Sequence, residues 1–450
     1  MLTCNDRDWI CQKLLEQVKN SAVESTNPIN QFSIQLDKDL KCEELLDFFT
    51  TEKKVYFKSV KLNTEFLALG QCHKITGRYL DLEATFNKVE RLQKEFSGNI
   101  YSALAFSELN KNKDQHWSKF NEVEFFIPVI EFVKHKSLVT VNLMLTKDQL
   151  SSSTKLEALI HEILAGKVKN KKRFPKLISE KTIPSKSKWT ENINRVLDQM
   201  KKAELVKVVL ARKSLLTFEN SINAAQLMQE MMDTESLCSI VYFQINKNTT
   251  YLAVTPESLF SRNNDQINAD VLAGTTRVGD TLEETDQFAR LLQKSNKDKI
   301  EHNEVLNYIE NKLNDISNSV TIKDELSILK LSKVQHLKSV IQATLNDNIS
   351  DLTVLKKLHP TPAIGGVPQQ STLNLIKSME SFNRGLFAGA IGVISQNVTD
   401  IAVGIRSCLI HENELCLFVG SGILEESCAE NEWEELNRKV LNYKDVFALC

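Results

Sequence analysis

The feature that most constrains the fold is a succession of short strand-like segments in the second half of the chain. From Trp189 onward, runs such as LVKVVLARKSLL and LCSIVYFQI alternate with helical segments, and several strands follow one another through hairpin-like links. Hairpin links join antiparallel neighbours, whereas parallel strands need a crossover connection. The pattern therefore predicts an α+β fold with largely antiparallel sheet rather than a doubly wound parallel fold.

The composition is that of an ordinary globular protein. The 450 residues are 42% hydrophobic, and 56 basic residues nearly balance 58 acidic ones. This balance gives no reason to expect nucleic acid or a membrane surface as a partner. The N-terminus lacks the pattern of a secretory signal, and the longest apolar run, near residues 386–394, is about half of what a bilayer requires. Nine scattered cysteines without a C-x-x-C motif predict reduced thiols and a cytoplasmic location.

The length by itself suggests two or three domains. Residues 1–166 mix strand-like runs with an amphipathic helix. Residues 167–188 are basic, contain Pro175 and Pro184 and lack periodicity, which is typical of an exposed connector. Residues 189–450 carry the motifs that indicate chemistry.

Two acidic pairs at helical spacing lie far apart in the chain. Asp298 and Glu301 form one pair, Glu432 and Glu435 the other, and a separation of three residues places both members on one helix face. If the two faces oppose each other, their carboxylates form an all-oxygen site that suits Mg²⁺. Lys439 continues the stripe of the second pair, so a cation would lie beside the acids. The site would favour an anionic substrate, a carboxylate or a phosphate.

The alternative interpretation of these acids is structural. Ser295 and Ser427 each precede an acidic residue by three positions, as in a capping box. Glu435 and Lys439 are spaced as an i,i+4 ion pair on a solvated helix face. On spacing alone, both interpretations stay open.

Lys207 lies within the otherwise apolar run LVKVVLA. With the period of a strand it shares a face with Leu205 and Val209, and a lysine on a buried face is unusual unless it is paired or functional. Burial lowers the pKa of an amine and makes a general base accessible. The alternative is a lysine on an edge strand that extends to water.

Glu257 follows Pro256 in AVTPESLF, directly after a predicted strand. A partly buried carboxyl group there would have a raised pKa and could act as a general acid. The alternative is a helix start, with Thr255 as N-cap, Pro256 at the first position and Glu257 at the second.

Three glycine-containing segments, LAGTTR, HPTPAIGGVP and FVGSGI, could bring backbone N–H groups close to an anion. None of them matches a P-loop or a dinucleotide fingerprint. Arg406, after the predicted strand DIAVGI, could clamp a carboxylate with two hydrogen bonds. His336 lies in a strand-like segment, where a structural role is the common one.

Ten motifs in order connect the last 260 residues to a known family. KVVLAR, TPESLF, LAGTTR, DKIEH, VQHL, HPTPAIGG, RGLFAGAIG, AVGIRS, VGSGI and EWEELNRK resemble those of the chorismate-utilising enzymes, which include isochorismate, salicylate, anthranilate and aminodeoxychorismate synthases. The resemblance implies one large α+β domain over residues 1–450, with two stacked, mainly antiparallel sheets flanked by helices. Residues 1–166 form its divergent part.

The resemblance also implies roles for individual residues. Glu301 and Glu435 would contact Mg²⁺ directly, with Asp298 and Glu432 in support. Lys207 would be the base and Glu257 the acid. The implied substrate-binding residues are Gly274, Thr275, His336, Ala363, Phe387, Arg406, Gly420, Gly422 and Lys439.

Two positions separate the branches of the family. Relatives that use ammonia generally have glutamine where this chain has Lys207, so lysine implies water as the nucleophile and isochorismate as the product. Salicylate synthases, which go on to eliminate pyruvate, typically have threonine at the position of Ala363. An Mg²⁺-dependent isochorismate synthase is therefore expected, with a salicylate synthase or a non-catalytic chorismate-fold protein as alternatives. Oligomeric state and the pathway that uses the product (quinone, siderophore or salicylate) stay open.

Overall fold

The computed structural model describes residues 2–21, 27–38, 40–110, 114–150, 152–168, 172–202 and 204–448. The helices are α1 (Cys4–Asn20), α2 (Cys42–Phe48), α3 (Leu82–Glu95), α4 (Lys147–Leu150), α5 (Ser153–Ile163), α6 (Lys186–Met200), α7 (Ala224–Thr234), α8 (Leu282–Lys294), α9 (Asn296–Asn314), α10 (Asp351–Leu358), α11 (Gln369–Met379) and α12 (Ala429–Ala448). The strands are β1 (Ile29–Leu36), β2 (Lys54–Ser59), β3 (Thr64–Leu69), β4 (His73–Gly77), β5 (Ile100–Leu104), β6 (Val123–Ile127), β7 (Ile130–His135), β8 (Leu138–Thr146), β9 (Leu177–Ile183), β10 (Lys207–Phe218), β11 (Ser239–Asn246), β12 (Thr249–Thr255), β13 (Ser258–Asn263), β14 (Gln266–Arg277), β15 (Ser317–Lys330), β16 (Val334–Leu345), β17 (Gly366–Val367), β18 (Ala390–Ile394), β19 (Val398–Val403), β20 (Ser407–His411) and β21 (Glu414–Ile423).

These strands form two antiparallel sheets. The larger has 12 strands in the order β1-β8-β7-β3-β2-β11-β12-β20-β21-β10-β17, with β9 also paired to β10. The smaller has nine, in the order β15-β16-β14-β13-β19-β18-β5-β6-β4. Helix α9 packs on β14 of the smaller sheet, and α12 packs on β21 of the larger one. The predicted α+β architecture of two antiparallel sheets flanked by helices is confirmed.

Both sheets contain strands from both halves of the chain. In the larger sheet β2 pairs with β11. In the smaller sheet β5 pairs with β18. The strands of residues 1–166 therefore complete the same two sheets as the motif-bearing strands.

The predicted connector, residues 167–188, contains regular structure. Residues 169–171 lie outside the described part of the chain, but Leu177–Ile183 form β9 and pair with the second half of β10. The side chains of β9 are largely exposed, which agrees with an exposed segment. A strand was not predicted there because its pairing depends on the distant edge of β10 and not on a local hydrophobic pattern.

Two segments of the chain each pass from one sheet to the other. YLAVTPESLF divides into β12 and β13, and DIAVGIRSCLI divides into β19 and β20. β12 pairs with β20 in the larger sheet and β13 pairs with β19 in the smaller one, so both breaks lie side by side. Backbone hydrogen bonds join them, from Val254 N–H to the Arg406 carbonyl at 3.0 Å and from Val403 N–H to the Glu257 carbonyl at 3.0 Å.

Each break has a local cause. Pro256 has no N–H to continue the ladder of β12. Arg406 has a φ of 50°, in the left-handed region, which turns the chain between β19 and β20. Because the chain passes between the sheets at these breaks, a cleft lies between them, and Glu257 and Arg406 line it.

The described part of the chain contains no helix that is long and apolar enough to cross a membrane. Its eight cysteines are all free thiols, as the sequence predicts.

Candidate active site

A cavity of about 260 Å³ lies in the cleft between the two sheets. Apart from Lys207, every predicted site residue lines it: Glu257, Gly274, Thr275, Asp298, Glu301, His336, Ala363, Phe387, Arg406, Gly420, Gly422, Glu432, Glu435 and Lys439. Its size, at or below the low end of small-molecule sites, indicates a small ligand.

Lys207 lies directly behind the cavity wall. Its side chain is 1% exposed, and its ammonium lies 2.9 Å from Oε1 of Glu301. The interpretation as an edge lysine that reaches water is wrong, because β10 is paired on both sides, with Val367 opposite Lys207 and Ile423 opposite Val208.

Gly422 makes room for this ion pair. A Cβ atom at position 422 would lie 2.6 Å from Oε1 of Glu301 and 3.1 Å from Cε of Lys207. Burial acts to raise the pKa of Glu301, but the ammonium groups of Lys207 and of Lys439 outweigh it and lower the pKa. Glu301 therefore stays ionised at the centre of the cleft.

Glu257 lies at the break between β12 and β13, and its side chain is buried. The interpretation as a helix start is wrong, because β13 follows at once. Burial raises the pKa of Glu257 to about 8, and the negative charge of Asp270 contributes in the same direction. The positive charges of Lys207 and Lys338 partly oppose this shift, so the base and acid candidates lie within electrostatic range of each other. Near neutral pH Glu257 holds a proton that it can donate.

His336 and Arg406 form a hydrogen-bonded pair on one wall. Arg406 donates to Nε2 of His336 at 2.9 Å, which leaves the proton of the neutral ring on Nδ1, 3.0 Å from Oγ1 of Thr275. Burial, and then the charge of Arg406, lower the pKa of His336 well below its usual range. The ring is therefore neutral and orients the guanidinium group.

A β-bulge in β14 shapes the wall next to this pair. The register with β16 shifts between Leu272 and Thr275, and Gly274 within the shift has a φ of +84°. His302 of α9 donates from Nδ1 to the Ala273 carbonyl at 3.2 Å, which ties the bulge to the helix that carries Glu301. The motifs LAGTTR and DKIEH thus meet in space.

The two acidic pairs lie on the two helices that border the cleft. Asp298 and Glu301 belong to α9, where Ser295 is the N-cap as the capping box predicts. Glu432 and Glu435 belong to α12. The prediction for Ser427 is wrong, because its hydroxyl accepts from Leu424 N–H within the preceding loop and does not cap α12.

Both acids of the pair on α12 have partners. Glu435 pairs with Lys439 at 2.6 Å, as the i,i+4 spacing predicts, although both side chains are partly buried at the cavity and not on a solvated face. Lys439 also donates to the Gly420 carbonyl at 2.9 Å. Glu432 accepts from the hydroxyl of Ser421 at 2.5 Å and pairs with Lys297 at 3.3 Å.

The donor set has the chemistry for a hard cation, although its geometry is not that of a formed site. Within the described residues, no three His, Cys, Asp or Glu side chains converge as metal ligands do. However, burial raises the pKa of Asp298, and the charges of Glu301 and Glu435 raise it further. The four acids thus line one cavity close enough for their charges to interact, and their carboxylate oxygens are ligands that suit a divalent ion with oxygen preference. Glu301 and Glu435 each pair with a lysine through Oε1, and a carboxylate has a second oxygen that could serve as a ligand.

Some cleft residues were not predicted to belong to the site. Lys297 precedes Asp298, Ser421 lies within VGSGI, and Arg384 opens RGLFAGAIG. These residues lie within or next to the motifs that carry the family resemblance, which is an indication of a role in the site. No rule of residue spacing distinguishes them from their neighbours. Their roles depend on partners that are distant in sequence.

A two-sheet antiparallel fold with a cleft bordered by acids, lysines and glycine turns defines the class of protein. Residues 15–446 match the model of the chorismate binding enzyme family, and the chain belongs to that family.

Curated relatives are isochorismate synthases. MenF of Haemophilus influenzae is 32% identical over 260 residues, which cover 58% of this chain and 60% of that protein. MenF of Bacillus subtilis is 30% identical over 357 residues, covering 78% and 75%. The chloroplastic isochorismate synthase 2 of Arabidopsis thaliana is 31% identical over 358 residues, covering 76% and 63%. The chain thus spans about 60% of the length of the first of these relatives.

Solved structures share the fold. The menaquinone-specific isochorismate synthase MenF from Escherichia coli superimposes with a TM-score of 0.85 over 98% of this chain and 99% of its own, at 24% identity. Anthranilate synthase component I from Streptococcus pneumoniae gives a TM-score of 0.67 over 86% and 93%, at 18% identity.

Proposed function

We propose that this protein is an isochorismate synthase, which converts chorismate to isochorismate by adding water at C2 and losing the C4 hydroxyl. The observation that most supports this is that two buried groups lie at the cleft, the side-chain nitrogen of Lys207 and the carboxyl group of Glu257, whose pKa burial raises to about 8. The isochorismate synthases among the relatives support the same reaction.

In the proposed reaction, Lys207 takes a proton from the attacking water and Glu257 gives a proton to the departing C4 hydroxyl, which leaves as water. One water enters and one leaves, so the substrate is isomerised. Each turnover transfers one proton onto Lys207 and one off Glu257. The cycle closes when these protons are exchanged back through solvent.

The cations of the cleft suit a substrate with two carboxylates. Arg406 is held by a hydrogen bond with His336, and Lys439 of α12 lines the same cavity. Backbone N–H groups near Gly274, Gly420 and Gly422 would add donors to these charges. Phe387 and Ala363 line the same cavity and would contact the ring.

Mg²⁺ is part of the proposal. Glu301 and Glu435 would hold the ion, with Asp298 and Glu432 beside them, since these four acids line the cavity. A bound Mg²⁺ would stabilise negative charge on the ring carboxylate of the substrate.

We propose that the reaction stops at isochorismate because Ala363 leaves the cleft wall small. The test is incubation of the protein with chorismate and Mg²⁺, followed by chromatography and a coupled assay for pyruvate. Isochorismate without stoichiometric pyruvate is expected. Stoichiometric pyruvate would identify a salicylate synthase instead, and no turnover would favour a protein that only binds its ligand.

A further inference from the structure

The cleft contains a second buried arginine, Arg384, whose hydrogen bonds go to the protein. Its Nε and Nη2 donate to the two carboxylate oxygens of Glu380, at 2.9 and 2.6 Å. Nη1 donates to the Ile364 carbonyl at 2.8 Å and Nη2 to the Val209 carbonyl at 2.7 Å. Four of the five N–H donors of a guanidinium group are thus in use.

The carbonyls that Arg384 holds belong to the two segments around the base candidate. Val209 lies two residues after Lys207 on β10, and Ile364 follows Ala363 in the HPTPAIGG loop. The same segments are joined by backbone bonds, from Val206 N–H to the Val367 carbonyl at 2.9 Å and from Val209 N–H to the Gly365 carbonyl at 2.8 Å.

Glu380 extends this connection. Its Oε1 also accepts from Ala211 N–H at 2.9 Å, so one carboxylate holds the arginine and a further position of β10. Glu380 is buried and does not line the cavity. A ligand in the cavity would therefore lie next to Arg384 but not next to Glu380, the acid that orients Arg384.

Arg406 provides a contrast within the same cavity. Within the described residues its guanidinium group donates one hydrogen bond, to His336, so donors remain for a carboxylate. Arg384 has little hydrogen-bonding capacity left for a ligand, although both arginines line the cleft.

We infer that Arg384 and Glu380 are positioning residues, which fix the strand of Lys207 against the loop of Ala363, and that Arg384 is not a ligand of the substrate carboxylates. This inference rests on the proposed function only where turnover is the readout. It deepens that function, because it says that a buried ion pair holds the base, Lys207, in position relative to the ring of the substrate.

The test compares Glu380→Gln and Arg384→Lys with the parent. Glu380→Gln keeps the volume and an acceptor for Ala211 N–H but removes the charge that orients Arg384. Because small displacements of a catalytic group are costly, both variants are expected to lose about tenfold or more in kcat while KM for chorismate changes by about twofold or less. Hydrogen exchange over residues 205–213 is expected to be faster in both.

The matched control is Arg262→Lys. Arg262 forms a buried ion pair with Asp351 at 2.8 Å and does not line the cavity, so its loss should lower Tm and leave kcat unchanged. If Arg384→Lys does not fold, Glu380→Gln decides the question alone.

Three results would overturn the inference. One is a KM raised about tenfold with unchanged kcat in Arg384→Lys while Glu380→Gln behaves as the parent, which would make Arg384 a substrate ligand. Another is a parental kcat in both variants. The third is loss of the folded state in both, which would make the pair a stability element. If the parent itself shows no turnover, the proposed function fails, and faster exchange over residues 205–213 would still support the positioning role.

Discussion

The ammonium of Lys207 lies 2.9 Å from Oε1 of Glu301, so the predicted base and a predicted metal ligand form one ion pair. An ion pair with a carboxylate uses the charged ammonium form of lysine, whereas a general base acts as the neutral amine. In the proposed reaction Glu301 therefore has to release Lys207. The two residues form a functional unit, and a change in either is expected to affect the other.

The first prediction concerns the base. Lys207→Gln removes the amine that accepts the proton, so isochorismate formation should fall by about a hundredfold or more. The measurement is the rate of product formation at saturating chorismate and Mg²⁺. The matched control is Lys213→Gln, which removes another buried lysine of the same strand, paired with Asp114 at 2.7 Å. The control should lower stability and keep the rate, and equal losses in both variants would contradict the assignment.

The second prediction concerns the pH dependence of turnover. Because burial raises the pKa of Glu257 to about 8, the acid loses its proton as the pH rises through that value. The kcat/KM profile, which reports groups of the free enzyme, should decline around pH 8. A profile that stays flat well above this pH would show that Glu257 is not the acid.

The third prediction concerns stability. Between an ordinary pKa of 4.5 and its folded pKa of about 8, Glu257 keeps its proton in the folded chain and loses it in the unfolded one. The unfolded state then binds fewer protons, so this group lowers the free energy of unfolding as the pH rises, by up to about 1.4 kcal/mol per pH unit. Glu257→Gln removes this contribution to the pH dependence of the free energy of unfolding. Denaturant unfolding of both proteins should show the parent losing stability relative to the variant across this window, and parallel curves would contradict the burial argument.

The fourth prediction concerns Gly422. A methyl group there would meet Oε1 of Glu301 at 2.6 Å, so Gly422→Ala should displace the ion pair with Lys207 and reduce kcat by about tenfold or more. The fold should persist, since the crowded atom ends a flexible side chain. Gly420→Ala is the comparison, because its nearest neighbour is a methyl group of Val209 at 3.1 Å. A larger loss in Gly420→Ala than in Gly422→Ala would contradict this account.

The fifth prediction concerns the metal. Glu435→Gln keeps the helix and the volume but replaces a charged ligand by a neutral amide. The Mg²⁺ concentration needed for half-maximal activity should rise about tenfold or more, and titration calorimetry with Mg²⁺ alone should show the same loss of affinity. Glu434→Gln, an exposed neighbour on α12, is the matched control and should bind Mg²⁺ as the parent does. Unchanged Mg²⁺ binding in Glu435→Gln would remove that residue from the metal site.

A sixth experiment uses Ala363, which lines the cleft. Threonine adds a methyl and a hydroxyl group at the wall and should shift the bound ring, which can change rates about a hundredfold. Ala363→Thr is expected to gain pyruvate and salicylate, measured with a lactate dehydrogenase coupled assay beside the parent. No gain would show that this position alone does not separate the two reactions.

Local sequence patterns were sufficient to predict features that depend on a single helix. The start of α9 at Ser295 and the pairing of Glu435 with Lys439 follow from spacing along a helix, and both are confirmed. Ser427 shows the limit of such rules, since its hydroxyl caps nothing on α12 and accepts within the preceding loop.

The strand ends before Glu257 and Arg406 were predicted, but the change from one sheet to the other at these positions could not be read from the sequence. Whether a strand stays in one sheet or passes to another depends on its partners, which are distant in sequence. The pair of Arg384 and Glu380 was not predicted for the same reason. Its role depends on the hydrogen bonds of Arg384 to the carbonyl groups of Val209 and Ile364, and no pattern of local spacing indicates these bonds.

The pairing of β2 with β11 and of β5 with β18 has a consequence for how such a chain can vary. A fragment that began at Trp189 would leave the inner edges of both sheets open, with unpaired backbone groups that invite aggregation. The strands of the first 166 residues are therefore needed to keep both sheets paired, and their removal is expected to expose the edges of β11 and β18. Engineering that shortens this protein should trim its loops and keep every strand.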